Sequence, residues 1–276
     1  AEKTLLSLKV CDPAVGSGHF LVGAAHRLAR HLARIRAVAH GENEPSPPVY
    51  QSALRDVIGR CLYGVDVSPM AAELCKVSLW LDALEPGKPL SFLDHHIRVG
   101  NSLLGTTPDL IVKGIPDEAF KPIEGDDRKA CGELKKRNKN ERKGLGPLFA
   151  KHEEEIQAKL ATAAAALEEL PDNRPEDIHQ KESKFGEYEQ TEEYAHKELL
   201  ADTWCSAFAI RKHLREPNHA NGITQSHLND LANDRSLLPE IRSEVERLSE
   251  KFRFFHWHLA FPEVFAKGGF DCVLGN

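Results

Sequence analysis

The stretch Val10-Cys11-Asp12-Pro13-Ala14-Val15-Gly16-Ser17-Gly18-His19-Phe20 constrains this chain more than any other. Leu5, Leu6, Leu8 and Val10 give the apolar approach expected of a central parallel strand, which is covered on both faces. Gly16 and Gly18 free the backbone to turn sharply and to approach a ligand with no Cβ in the way. A helix starting near Ser17 would turn its unpaired N–H groups and the positive end of its dipole towards the same spot. Asp12, at the carboxyl end of the strand, adds a carboxylate to that crevice. The dinucleotide fingerprint is not met, because Leu21 stands where its third glycine belongs.

Bulk properties narrow the rest. A chain of 276 residues with 41% hydrophobic residues can build one large α/β domain, or one domain carrying an insertion. The net charge of −6 supplies no global basic field of the kind that draws nucleic acid. Six cysteines are scattered singly, which argues against a disulfide scaffold or a zinc knuckle and for a reducing, cytoplasmic setting. No uncharged apolar run is long enough to span a bilayer, so no membrane partner is expected. The chain opens almost on a core strand and closes at Asn276, directly after the apolar run Phe270 to Leu274, and so reads as a piece of a longer protein.

Along the chain, the first helix is expected to run to about Ala39, with Phe20, Ala24, Leu28, Leu32 and Ile35 against the sheet. Val49 to Gly59 reads as a short helix leading to a second strand, Cys61 to Asp66. Asp66 is placed where a nucleotide-binding sheet carries the acid that accepts from ribose hydroxyls, with capping of the next helix as the plainer alternative. Ser68 and Pro69 mark the start of a helix to about Leu84, with Leu74, Val77 and Leu81 inward. Ile97 to Gly105 reads as a third strand running into a loop that holds Asn101 and Ser102. The sheet pattern then stops, and residues 115–252 read as a helical insertion with mobile parts near 125–145 and 170–190. The basic run Lys135 to Lys143 sits among acidic residues and reads as a solvated loop. No metal site is expected: His95 and His96 would face opposite ways as strand neighbours and read better as loop histidines, and His256 and His258, on one face of a strand, have no third ligand in view.

The string DPAVGSGHFL closely resembles the cofactor loop of S-adenosylmethionine-dependent adenine-N6 DNA methyltransferases of restriction–modification and phage-defence systems, the type II restriction enzyme–methylase family. The GVD of Gly64 to Asp66, the loop at Asn101, and the tail FPEVF followed by GFDCVLGN match that family in order. The resemblance covers about residues 5–105 and 253–276. It implies a doubly wound, Rossmann-like α/β methyltransferase core divided into a cofactor-binding half (1–114), a helical insertion (115–252) and a return to the core (253–276).

S-adenosylmethionine is the implied cofactor, held by Asp12, Pro13, Ala14, Gly16, Gly18, Phe20, Asp66, Val67, Met70, Asn101 and Ser102. Asn276 is the implied catalytic residue, the first of an Asn-Pro-Pro-aromatic motif whose remaining residues are not in this sequence. The implied partner of the parent protein is double-stranded DNA with a flipped adenine, beside restriction or defence subunits, while residues 1–276 alone are expected to be inactive. Methylation of RNA or of protein glutamine, and a non-catalytic subunit of a defence complex, are the alternatives.

Overall fold

In the computed structural model, which describes residues 1–142, 147–215 and 219–275, the chain starts with a short helix, α1 (Glu2–Leu6), and reaches the sheet at β1 (Val10–Asp12). Leu5 and Leu6 are therefore helical, and the strand approach expected of them shrinks to the three residues that pair with neighbours. Then follow α2 (His19–Ala39), α3 (Pro47–Cys61), β2 (Leu62–Asp66), α4 (Pro69–Asp82) and β3 (Ile97–Val99). Beyond these come α5 (Pro108–Lys113), a 3-10 turn (Asp117–Phe120), α6 (Arg128–Glu141), α7 (Pro147–Glu168), α8 (Pro175–Glu189) and α9 (Glu192–Ala209). The chain continues through β4 (His213–Arg215), β5 (His219–Asn221), α10 (Gln225–Ala232), α11 (Pro239–Phe252), α12 (Trp257–Ala260), α13 (Pro262–Phe265) and β6 (Cys272–Val273).

Two compact units arise, and neither follows the expected boundaries at 114 and 252. The first comprises residues 1–102, 161–190 and 260–276, and the second residues 103–160 and 191–259. The first unit holds a parallel sheet in the order β3-β2-β1-β6, with Val10 opposite both Leu62 and Cys272, and Gly64 opposite Ile97. Parallel strands need crossover helices, and α2, α3 and α4 supply them, α2 packing on both of the others.

The inward face of α4 differs from the expected one, and that of α2 differs in part: Leu32 is buried and Ala24 and Leu28 pack against the core as expected. In α2 the buried residues are Leu21, Ala25, Ala29, Leu32, Ala33 and Ala37, so small alanines set the contact and Phe20 turns outward. In α4 the buried residues are Ala72, Cys75, Lys76 and Leu79, while Leu74, Val77 and Leu81 are exposed. In each helix small side chains line much of the buried face beside Leu21, Leu32 and Leu79, while Phe20, Leu74, Val77 and Leu81 lie outside it.

Residues 161–190 join this unit through polar and aromatic contacts. Buried Arg55 donates to the carbonyls of Pro89 (2.6 Å) and Asp172 (2.8 Å), Arg98 pairs with Glu189, and Phe185 meets Phe92 edge to face at 5.6 Å. Among the described residues, the stretches expected to be mobile are largely helical. In α6, Asp127 Oδ1 caps the amides of Lys129 and Ala130, and α8 begins on Pro175. The basic run is part of α6, with Lys143 outside the described residues.

The second unit packs α9 against α10 and α11, with a small antiparallel pair, β4 and β5, beside α6. One buried polar cluster in it is satisfied internally. Asn138 donates to the Ile115 carbonyl and accepts from the Gln225 amide, while Gln225 Oε1 accepts from the Ile115 amide, each at 2.8 Å. His258 belongs to α12 rather than to a strand, and His256 immediately precedes that helix. His256 has both ring nitrogens engaged, Nδ1 with the Thr106 amide (3.2 Å) and Nε2 with Asp202 (2.8 Å). Among the described residues no helix is long and apolar enough to cross a membrane.

Candidate functional site

The carboxyl ends of β1, β2 and β3 lie side by side, and the residues expected to hold a cofactor gather there within the first unit. Open parallel sheets bind ligands at this end of their strands. Asp12 closes β1. Its Oδ1 accepts the Ala14 amide (3.0 Å), while Oδ2 is buried and has no hydrogen-bond partner. The residue is 1% exposed. Burial pushes its carboxyl above the ordinary aspartate range; the Ala14 amide opposes this and the nearby charge of Asp66 adds to it.

The loop after Asp12 crosses onto β2. The Val15 amide donates to the Val65 carbonyl (3.0 Å), and the Gly16 amide donates to Asp66 Oδ2 (2.9 Å). Asp66 Oδ1 accepts the Ser68 amide (2.8 Å), and Ser68 Oγ in turn caps the Ala71 amide of α4 (3.4 Å). The loop-holding and helix-start roles of Asp66 thus coexist in one carboxylate.

Gly18 has φ +84°, a backbone region costly for a residue with a Cβ, and a Cβ built there would stand 2.8 Å from Cys75 Sγ. Cys75 is the floor of the loop, and no spacing in the sequence announces a partner 57 residues away. Burial, and then the charges of Asp12 and Asp66, push its thiol up to about 12.

The Gly100 amide donates to the Asp66 carbonyl (2.9 Å), which brings Asn101 and Ser102 to the same end of the sheet. Phe20, Val67, Met70 and Val99 are exposed at these strand and helix ends, Met70 by 67%, and offer the apolar surface a flat heteroaromatic ring would cover. Pro13 and Ala14 form the turn between Asp12 and Gly16. At the far edge, the Leu274 amide donates to the Cys11 carbonyl (2.8 Å), so β6 carries the chain to the same crevice. Asn276 itself lies outside the described residues.

A sequence profile described as Eco57I restriction-modification methylase matches residues 60–276. The chain belongs to that family. It is 28% identical over 285 aligned residues to a putative type II restriction enzyme and methyltransferase of Methanocaldococcus jannaschii, across 98% of this chain and 22% of that relative. It is also 34% identical over 108 residues to the adenine-specific methyltransferase PglX of Streptomyces coelicolor, across 35% of this chain and 8% of that protein. The chain therefore spans about a fifth or less of the length of these curated relatives. No solved structure matches it. The Eco57I methylase family and the parallel sheet agree with the Rossmann-like methyltransferase fold expected from the glycine loop.

Proposed function

We propose that this chain is the cofactor-binding part of a site-specific methyltransferase that moves a methyl group from S-adenosylmethionine to N6 of an adenine in double-stranded DNA. The observation that carries the cofactor reading is Asp12 Oδ2, buried at the mouth of the glycine loop with no partner of its own. Such an oxygen suits a cation, and the amino-acid end of S-adenosylmethionine carries an ammonium group. When bound, that cofactor supplies the electrophilic methyl group.

The chain's own residues account for the rest of the binding. Asp12 holds the ammonium, and Gly16 and Gly18 let the backbone close on the carboxylate end near the start of α2. Both oxygens of Asp66 serve backbone amides, but a carboxylate has about four lone pairs, so it can still accept from ribose hydroxyls. Asn101 accepts from the adenine amino group of the cofactor, while Phe20, Val67 and Met70 cover its ring.

The family and the adenine-specific name of one relative support this target. Adenine N6 is a weak nucleophile because its lone pair is delocalised into the ring. Acceptors placed on its N–H bonds, after the base has left the stack, steer that lone pair to the methyl. Asn276 is the first such acceptor, and residues 1–276 without the rest of its motif are inactive alone. All six cysteines are free thiols and five are buried, in keeping with a reducing cytoplasm.

The test is calorimetric titration of the chain with S-adenosylhomocysteine. Saturable 1:1 binding, weakened at least about tenfold in Asp12→Asn, is the expected result. Binding that Asp12→Asn leaves unchanged would overturn the assignment.

A further inference from the structure

The opposite end of the sheet holds a second convergence of chemistry. Lys9 precedes β1, His96 precedes β3, and Tyr63 is the second residue of β2. Glu168, the last residue of α7, reaches into this group. Its Oε2 pairs with Lys9 Nζ (3.4 Å), and its Oε1 accepts from Tyr63 OH (3.3 Å) and lies against Nε2 of His96. His95 Nε2 stands 3.4 Å from the same Oε1 without making a hydrogen bond. His95 and His96 occupy a turn rather than a strand, so their rings share one side at a centroid distance of 4.1 Å instead of pointing apart.

Two features set this group apart from an ordinary buried ion pair. One donor atom from each of His95, His96 and Glu168 lies within 4.8 Å of the other two. In addition, both ring nitrogens of His95, which is 9% exposed, and Nδ1 of fully buried His96 lack hydrogen-bond partners. Buried imidazoles with unsatisfied nitrogens call for an unseen partner. Three donors on one tetrahedral ion, each at about 2.1 Å, stand roughly 3.4 Å apart; His95 and Glu168 stand at that separation, and His96, closer to Glu168, would draw back to share the ion.

We propose that His95, His96 and Glu168 bind one divalent transition-metal ion, zinc foremost. Two imidazole nitrogens and one carboxylate oxygen are the donor set that zinc, cobalt and nickel accept. Lys9 on Oε2 and Tyr63 behind Oε1 orient the carboxylate, the supporting contacts such a ligand needs. A cavity of about 530 Å³, lined by Glu168, Glu263, Lys9 and Arg60, reaches the group from the Glu168 side and would be the ion's way in. The ion would clasp α7 to the turn before β3, across 72 residues of sequence.

The experiment is titration of the EDTA-stripped 276-residue chain with cobalt(II), followed by the visible ligand-field bands, and then displacement by zinc. One equivalent is expected to bind, and His95→Gln and Glu168→Gln, checked for folding by circular dichroism, should each weaken uptake at least about tenfold. X-ray absorption of the zinc-loaded wild-type protein gives a reading independent of any variant: two imidazoles and oxygen ligands are expected. Absence of uptake, uptake unchanged in folded variants, or a thiolate-bearing first shell would overturn the site and leave Glu168 as the anion of a buried ion pair. None of these readouts depends on methyl transfer.

Discussion

Asp66 Oδ2 accepts the Gly16 amide at 2.9 Å, so the acid at the end of β2 holds the glycine loop that follows β1. The bond crosses two neighbouring strands and 50 residues of sequence. It makes the shape of the loop depend on an acid that the cofactor reading assigns to ribose. Replacing Asp66 by Ala removes this bond and the one to Ser68 together. A loss of about 2–3 kcal/mol of stability is expected from urea unfolding, with S-adenosylhomocysteine binding reduced at least tenfold. Asp66→Asn keeps one acceptor oxygen and should fall between wild type and Asp66→Ala on both measures.

Gly16 and Gly18 both have positive φ, yet they should tolerate alanine differently. At Gly16 an added Cβ meets nothing within 4 Å, so Gly16→Ala carries only the backbone cost of about 1–2 kcal/mol. At Gly18 the Cβ meets Cys75 Sγ at 2.8 Å, adding an overpacking cost of about 1–3 kcal/mol. Introducing Cys75→Ala into Gly18→Ala should recover part of that second loss, because the Cys75 backbone at 3.3 Å remains in the way. Urea denaturation of the four proteins checks this order; equal losses at the two glycines would contradict it.

Asp12 links binding to pH. Its carboxyl titrates above the ordinary aspartate value of 3.8, burial being the first cause. An ammonium group prefers the ionised form, so ligand binding should release protons, and affinity should fall as pH drops through the raised value. Calorimetry in buffers of different ionisation enthalpy measures that release. Asp12→Asn should abolish it.

The sequence was legible where chain-local signals decide structure. Proline and glycine punctuation, with apolar runs ending in acids, placed β1, β2 and β3 and the loop from Asp12 to Gly18. It was less legible where a partner decides. Phe20 and Leu74 look like core residues by helical spacing, but alanines and Cys75 made the closer packing surface. His95 and His96 read as loop histidines and do lie in a turn, but only the fold reveals that both rings meet Glu168. Residues 161–190 carry no strand pattern, so their place beside the sheet, fixed by Arg55, Arg98 and Glu168, had no signature in composition.

Lys212 and Asp126 form a buried ion pair in the second unit, Nζ standing 3.8 Å from Oδ2 with both side chains almost wholly covered. Burial pushes the lysine down and Asp126 holds it up. Asp126 also accepts the Lys212 amide through Oδ1 (2.9 Å), and Nζ donates to the Ile210 carbonyl (3.2 Å). Asp126→Ala strands a buried ammonium and should cost about 3–5 kcal/mol. Lys212→Met paired with Asp126→Asn removes both charges at similar volume and should recover most of that loss. Unfolding curves of the wild type, the single variant and the double variant distinguish charge compensation from packing.

His258 gives the second unit an acid-sensitive stability. Burial, and then the charges of His256 and Lys197, lower its imidazole to about 3, against 6.5 when unfolded, while the Thr106 backbone opposes the shift. Between those two values the unfolded chain binds a proton that the folded chain refuses, so stability rises with pH across that window. The expected slope is about 1.4 kcal/mol per pH unit, flattening above 6.5 where both states are neutral. His258→Leu removes the titrating group and leaves in place the backbone carbonyl that accepts from Gln157 (2.7 Å). The difference between wild-type and variant unfolding free energies, followed from pH 7 down to pH 4, should therefore shrink steadily towards acid. A difference that stays constant over that range would show that His258 is protonated inside the folded unit.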